Sequence, residues 1–257
     1  MSTKRMTPGP ITLAIDIGGS GLKATALDST GTMLIDRLRV PTPYPLPPAR
    51  LIAELQQLVS PVKRFDRVSV GFPGMVRDGA ILSAPHVVLA KGPGSKPDPE
   101  VVAAWHRFDL AEALTKAFGK PARVVNDADL QGLDASSGHG LEVVITLGTG
   151  FGTAVMHDGQ LAPHMEMSQH PFRKGENYDQ QLGDVARNDV GNSRWSERVR
   201  KAIVNLDKLL MFDHLYIGGG NARHLKGDLP ENVTRIDPNA GLLGCIRLWD
   251  QKLMRRR

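Results

Sequence analysis

Asp16-Ile17-Gly18-Gly19-Ser20-Gly21-Leu22-Lys23 is the stretch on which the fold of this chain turns. The apolar run ITLAIDI (11–17) leads into it and KATALD (23–28) leads out, so its glycines join two β-rich segments. A dinucleotide fingerprint and a P-loop both need a helix N-terminus after their glycines, and a P-loop also needs Gly-Lys-Ser/Thr, which is absent. What remains is a hairpin whose glycines let backbone amides approach an anion closely, with Ser20 and Lys23 as further donors. Asp16, at the strand end, is placed to hold Mg²⁺ through water. The same hairpin also reads as a plain turn, because glycine is the usual residue there.

A second copy of this grammar lies further on. EVVITL (142–147) runs into Gly148-Thr149-Gly150-Phe151-Gly152 and returns through TAVMHDGQLA (153–162), again a strand, a glycine turn with a hydroxyl, and a strand. It is a weak internal repeat. Two such hairpins on opposite lobes would clamp a phosphate chain.

Outward from the first hairpin, TMLIDRLRV (32–40) completes a β-meander, and PTPYPLPP is too proline-dense for regular structure. ARLIAELQQLVS (49–60) has apolar residues at helical spacing, and RVSVGF (67–72) is a strand. The glycine- and proline-rich stretch 90–99 predicts a loop, a candidate flap, and WHRFDLAEALTKAFG beyond it a helix ending at Gly119. Strand ARVV then runs into Asn126 and Asp127, followed by a helix-compatible stretch. Helices are expected around 176–190, at 195–212 and from about 241 to 254, with the strand HLYI leading into Gly218-Gly219-Gly220, which opens another helix. The order is mixed α/β throughout. It suggests an N-terminal lobe (1–125), onto which the last helix can fold back, and a C-terminal lobe (126–240), with a central cleft between them.

Asp127 stands where a strand ends at that cleft, so its carboxylate can face a bound hydroxyl and accept its proton. Asn-Asp at a strand-to-helix junction is equally a common capping pair. The Gly71-Phe72-Pro73-Gly74 turn reads either as a pocket wall or as a simple turn.

Composition narrows the function classes. With 41% hydrophobic and 23% charged residues over 257 positions, the chain can bury a substantial core. No apolar run approaches the roughly 20 residues that span a bilayer, and the first ten residues lack the apolar core of a signal peptide. A cytoplasmic protein without a membrane partner is the expectation. Lone Cys245 allows neither an internal disulfide nor a multi-cysteine zinc site, so it is expected to be a buried structural thiol. The net charge of +5 tempts one toward nucleic acid, yet Lys4, Arg5, Lys252, Arg255, Arg256 and Arg257 account for it entirely. No nucleic-acid partner is expected. A milder excess, six basic against three acidic residues, lies between Arg187 and Lys208, and reads most simply as a solvated helix face.

Taken together, DIGGSGLK, VVNDAD, LGTGFG and IGGGNA resemble the ROK family of sugar kinases over about residues 11–248. The nearer resemblance is to its polyphosphate-dependent glucokinase branch, some members of which carry a stretch similar to HPFRKGENYDQQLG (170–183). The resemblance implies an actin-like ATPase (ribonuclease H-like) fold, a homodimer, and Mg²⁺ without zinc. It implies phosphoryl transfer from polyphosphate, ATP or both to the 6-hydroxyl of glucose or a related hexose, with Asp127 as general base. Asn126 becomes a sugar ligand with Asp127, and Gly74 shapes the pocket wall. Asp16, Gly18, Gly19, Ser20, Gly21, Lys23, Gly148, Thr149, Gly150 and Gly152 would hold the donor phosphates, and Gly218, Gly219 and Gly220 would lie near an adenosine.

The sugar pocket departs from the family pattern. Where relatives show Glu-x-Gly-His, this chain has Glu166-Met167-Ser168-Gln169 with His170 next, so Gln169 ranks above His170 as the replacement ligand. His86 stands where polyphosphate glucokinases tend to carry an asparagine. Arg173, Lys174, Arg194, Arg198 and Lys201 offer a path for a long anion. The alternatives are a ROK-type kinase with another sugar or donor, or a non-catalytic sugar sensor. The sensor relatives carry an added helix-turn-helix, and with about ten residues before the first strand and Asp127 retained, a kinase is the expectation over a sensor.

Overall fold

The computed structural model describes residues 9–236 and 241–252. The basic residues Lys4, Arg5, Arg255, Arg256 and Arg257, and the end of the helix expected to reach 254, lie outside the described residues. The chain divides into two compact units, one running to Val125 and including Leu248–Asp250, the other Asn126–Arg247 with Gln251 and Lys252.

The first unit contains β1 (Thr12–Ile17), β2 (Leu22–Leu27), β3 (Leu38–Val40), α1 (Pro48–Leu58), β4 (Arg67–Phe72), β5 (Val76–Arg77), β6 (Ala80–Ile81), α2 (Pro99–Trp105), β7 (Phe108–Asp109), α3 (Leu110–Phe118) and β8 (Ala122–Asn126). Its main sheet has the order β3-β2-β1-β4-β8. β1 pairs antiparallel with β2 and parallel with β4, and it is buried along nearly its whole length, as its continuous apolar run requires. Leu51, Leu55 and Leu58 put one face of α1 into the core, and the buried Trp105 satisfies its indole N–H on the Leu46 carbonyl at 2.8 Å. The turn Leu248–Asp250 belongs here too. Trp249 lies beneath the guanidinium groups of Arg67 and Arg123 and donates to the Ser69 hydroxyl at 2.9 Å.

Several boundaries differ from expectation. The third strand shrinks to Leu38–Val40, leaving Met33 and Leu34 exposed. The stretch after residue 97 is not all loop, because Asp98 caps α2 and Pro99 occupies its first turn, where a missing N–H costs nothing. The helix expected from Trp105 is broken by Arg107 at φ 57° and restarts at Leu110, where the Asp109 carboxylate accepts from the Glu112 N–H. Its expected end holds, with Gly119 as a left-handed cap.

The second unit contains α4 (Asp127–Ala135), β9 (Leu141–Leu147), β10 (Phe151–His157), β11 (Gln160–Leu161), β12 (Pro171–Arg173), β13 (Glu176–Asn177), α5 (Tyr178–Leu182), α6 (Asp184–Leu210), β14 (His214–Gly218), β15 (Val233–Arg235) and α7 (Leu242–Arg247). Its main sheet has the order β11-β10-β9-β14-β15. β9 pairs antiparallel with β10 and parallel with β14. α6 is interrupted at Gly191, which takes φ 76°, so two helical segments flank it as the sequence suggests. Trp195 anchors the second segment in the core, its indole donating to the Leu182 carbonyl at 2.9 Å.

The glycine triplet at 218–220 does not open a regular helix. Only a 3₁₀ turn, Ala222–His224, follows, and the chain then extends at Leu225 and turns again at Gly227. The last helix is also shorter than expected, and it packs on α4 within the second unit. A side-chain carbon at Gly244 would lie 1.9 Å from the Leu130 carbonyl oxygen, so glycine is what lets the two backbones touch. Cys245 is buried at 4% exposure, as a structural thiol should be. No helix among the described residues is long and apolar enough to cross a membrane.

Candidate functional site

In the first unit, the glycine hairpin is closed by the Gly18 N–H donating to the Gly21 carbonyl at 3.1 Å. Two hydroxyls fasten it from the proline-rich stretch. Thr42 donates to the Gly18 carbonyl at 2.5 Å, and Tyr44 lies 2.5 Å from the Gly19 carbonyl and 2.8 Å from that of His86. The structure therefore brings His86, expected among the sugar ligands, beside Gly19 of the donor hairpin. Ser20 is exposed at the tip. Lys23 faces Asp16 across the β1–β2 register and pairs with it at 2.8 Å, with the carboxylate side chain 49% exposed. Gly74 is buried against the Ser83 carbonyl, 2.2 Å from where a side-chain carbon would sit, so close backbone approach explains its glycine.

In the second unit, the hairpin at Gly148–Gly152 is held on several sides. The Asn221 amide donates to the Gly148 carbonyl at 2.9 Å, and its backbone N–H to Leu147 at 2.9 Å. The Asp179 carboxylate accepts from the Phe151 N–H at 2.8 Å, and the Asp184 N–H reaches the Thr149 carbonyl at 3.3 Å. Gly219, at φ 82°, comes so close that a side-chain carbon there would lie 2.3 Å from the Leu147 carbonyl oxygen. The Gly218-Gly219-Gly220 turn and the second hairpin thus form one assembly. Asn221, Asp179 and Asp184, which hold it, were not singled out by sequence, since their partners lie 28 to 74 residues away.

The strand-to-helix junction does cap a helix, and the cap is Asn126 rather than Asp127. The Asn126 side-chain oxygen accepts from the Ala128 N–H at 2.7 Å, and the Asp129 carboxylate accepts from the Asn126 N–H at 3.2 Å, closing a capping box. Asp127 is the first residue of α4, half-buried, and accepts from the Ala128 N–H at 3.0 Å. A side-chain carbon at Gly152 would lie 3.2 Å from the Ala128 methyl, so the second hairpin ends beside the start of α4.

Asp129 does more than complete the cap. Its other oxygen lies 3.1 Å from His164 Nδ1, and His164 Nε2 lies 3.9 Å from Glu166, at ion-pair rather than hydrogen-bond distance. The imidazole side chain is 3% exposed. Burial alone would pull its pKa down, but Asp129 and Glu166 outweigh that and push it up to about 10, leaving an imidazolium at neutral pH. Burial likewise raises the Glu166 carboxyl, while His164 and Ser168 more than compensate and hold it below its ordinary value. Asn126 and Glu166 are therefore tied together through two residues the sequence reading did not name. Asp129 lay inside the quoted VVNDAD, and a histidine two residues before Glu166 was the available signal.

Gln169 and His170 are both exposed and engage their own loop. Gln169 donates to the Ser168 hydroxyl and accepts from the Asn177 amide, and His170 Nδ1 lies 3.0 Å from the Pro171 carbonyl. Among the described residues no three His, Cys, Asp or Glu side chains cluster around a metal position. Asp16 is half-exposed and one of its oxygens pairs with Lys23, so a Mg²⁺ there would be held through water by the other oxygen.

Comparison with known proteins identifies the family and the fold. The model of the ROK family matches residues 12–170, more than half the chain. The chain belongs to the ROK family. A polyphosphate glucokinase of Mycobacterium tuberculosis is 28% identical over 258 residues, covering 93% of this chain and 92% of that protein. An N-acetylmannosamine kinase of Escherichia coli is 32% identical, over 58% of this chain and 48% of its own length. The crystal structure of the inorganic polyphosphate/ATP-glucomannokinase from Arthrobacter sp. strain KM matches with a TM-score of 0.77 and 26% identity, covering 96% of this chain and 100% of that one. The fold is accordingly the actin-like ATPase fold of the ROK sugar kinases, built from the mixed α/β sheets described above.

Proposed function

We propose that this ROK protein is a glucokinase-like sugar kinase that transfers a phosphoryl group from inorganic polyphosphate, ATP or both to the 6-hydroxyl of glucose or a closely related hexose. The observation that carries this reading is the chain Asn126–Asp129–His164–Glu166, which fixes the start of α4, and with it Asp127, in the same unit as a braced glycine hairpin. The names of the relatives supply the substrate class: glucose for the mycobacterial enzyme, and polyphosphate or ATP for the Arthrobacter one.

In this mechanism the hexose hydroxyl oxygen attacks the terminal phosphorus of the donor, the bond from that phosphorus to the bridging oxygen breaks, and the hydroxyl proton passes to the Asp127 carboxylate. Asn126 and Glu166 hold sugar hydroxyls, and the imidazolium of His164 keeps Glu166 ionised as an acceptor. The glycine hairpins supply backbone N–H groups to the donor phosphates, with Lys23 as a cation. Mg²⁺, held near Asp16 through water, would offset charge on the phosphates. Because catalysis of phosphoryl transfer is mainly alignment and charge neutralisation, the bracing side chains matter as much as the base.

Purified protein with Mg²⁺, offered a panel of hexoses against ATP and against polyphosphate, tests this directly. Asp127→Asn should lower kcat by about 10² to 10⁴ with little change in the sugar KM. Absence of a sugar phosphate with every pair, or full activity of Asp127→Asn, would sink the reading.

A further inference from the structure

The five basic residues noted at 173–201 converge in the folded second unit. Arg194, Arg198 and Lys201 follow one another at helical spacing on the second segment of α6, and Arg173 and Lys174 come from the β12–β13 hairpin. Lys174 (φ 53°) and Gly175 (φ 80°) form the two-residue turn of that hairpin. Together with Val190 and Glu197 these cations line a hollow of about 420 Å³. Five cations and one carboxylate line it, with Glu176 and Asp189 also acting on Arg198, so the lining carries an excess of positive charge. Burial, and next the charge of Arg173, hold the Arg198 pKa below the ordinary arginine value against the opposing charges of Glu176 and Asp189.

Two of the cations are fixed in place. Arg173 donates to the side-chain oxygen of Gln181 at 3.1 Å and Arg198 to its backbone carbonyl at 3.3 Å, and Gln181 is itself buried at 6% exposure. Gln181 stands two residues after Asp179, the carboxylate that holds the Phe151 N–H of the second glycine hairpin. The hollow and that hairpin are therefore mounted on the same short helix, α5. The lining includes no aromatic ring, so nothing in it would stack on a base.

We infer that this hollow binds the chain of an inorganic polyphosphate donor beyond its reacting end, which rests on the polyphosphate part of the function proposed above. It is a second anion subsite, useful to a long donor and irrelevant to a short one. Its presence would make the KM for polyphosphate depend on chain length.

The test is the double variant Arg194→Ala/Lys201→Ala, two exposed positions whose loss should leave the thermal unfolding transition unmoved. The KM for long-chain polyphosphate should rise roughly tenfold, the size expected of two partly exposed ion contacts, and Lys201→Arg should retain the wild-type value. The KM for tripolyphosphate and for ATP, and kcat with each, should not change. Equal shifts for all three donors, or none, would overturn the inference. If wild type turns over no polyphosphate, the donor reading fails, and calorimetric titration with long-chain polyphosphate decides the subsite separately. Binding weakened in the double variant would support it, whereas absent or unchanged binding, or equal competition by single-stranded DNA, would refute it.

Discussion

Replacing His164 by alanine removes the one cation from a buried set of three ionisable groups. The ring is 3% exposed, with Asp129 at 3.1 Å and Glu166 at 3.9 Å, their side chains 6% and 20% exposed. Without the imidazolium, two carboxylates share a poorly solvated space, and breaking a buried ion pair from one side typically costs about 3–5 kcal/mol. The pH dependence carries the same information. A histidine whose pKa is raised from 6.5 to about 10 contributes stability that is fully present below about 6.5 and is lost as pH rises through about 10. Glu166, held below its ordinary value, contributes stability in the opposite sense, present above 4.5 and lost as the medium turns acid. Urea unfolding followed by circular dichroism should therefore show the wild type losing stability between pH 7 and 10, while His164→Ala starts several kcal/mol lower at pH 7 and lacks that slope. His164→Gln, which can keep a hydrogen bond to Asp129 but no charge, should fall between them at pH 7 and also lack the slope. A loss below about 1 kcal/mol for His164→Ala at pH 7, or a wild-type slope preserved in the variants, would refute the imidazolium assignment.

Two further changes probe how the hairpins are held. Gly219→Ala places a carbon 2.3 Å from the Leu147 carbonyl oxygen at φ 82°, so a loss of about 3 kcal/mol or more is expected in thermal or urea unfolding, and wild-type stability would contradict the geometry. Tyr44→Phe deletes the hydroxyl shared by the Gly19 and His86 carbonyls and should cost about 1–3 kcal/mol while raising the KM for the phosphoryl donor but not for the sugar. A change confined to the sugar KM would place the first hairpin elsewhere in the reaction.

The parts of this molecule that could be read from sequence are those written in local periodicity and turn chemistry. Both glycine hairpins, the strand entering Asn126-Asp127, the left-handed stop at Gly119 and the break near Gly191 all follow from residues within a few positions of one another. Asp98-Pro99 was equally local, yet the density of glycine and proline before it masked a good cap and first turn. What could not be read is long-range pairing. Asp129 meets His164 across 35 positions and Asn221 meets the Gly148 carbonyl across 73, and no periodicity encodes which polar groups will find each other. Gln169 and His170, expected as sugar ligands from the resemblance, are exposed, with partners at Ser168, Asn177 and the Pro171 carbonyl within eight positions.

The weak repeat seen in the sequence has a structural counterpart, and it bears on donor choice. The sheets β3-β2-β1-β4-β8 and β11-β10-β9-β14-β15 share one order, with the first two hairpin strands antiparallel and the next neighbour parallel in each. Each glycine hairpin falls at the same place in its sheet. In each, side chains from outside the hairpin tie off its carbonyl oxygens: Thr42 and Tyr44 on Gly18 and Gly19, Asn221 on Gly148. A carbonyl dipole pointing at a phosphate would repel it, so occupying those oxygens with donors favours the amide side of the turn for an anion. Under the proposed function this device would meet terminal phosphates, which a nucleoside triphosphate and a linear polyphosphate present alike. Discrimination between the two must then come from whatever meets the remainder of the donor. In the proposed reading the nucleoside would lie near Gly218-Gly219-Gly220, and further phosphates would meet the cations Arg173, Lys174, Arg194, Arg198 and Lys201 that line the hollow.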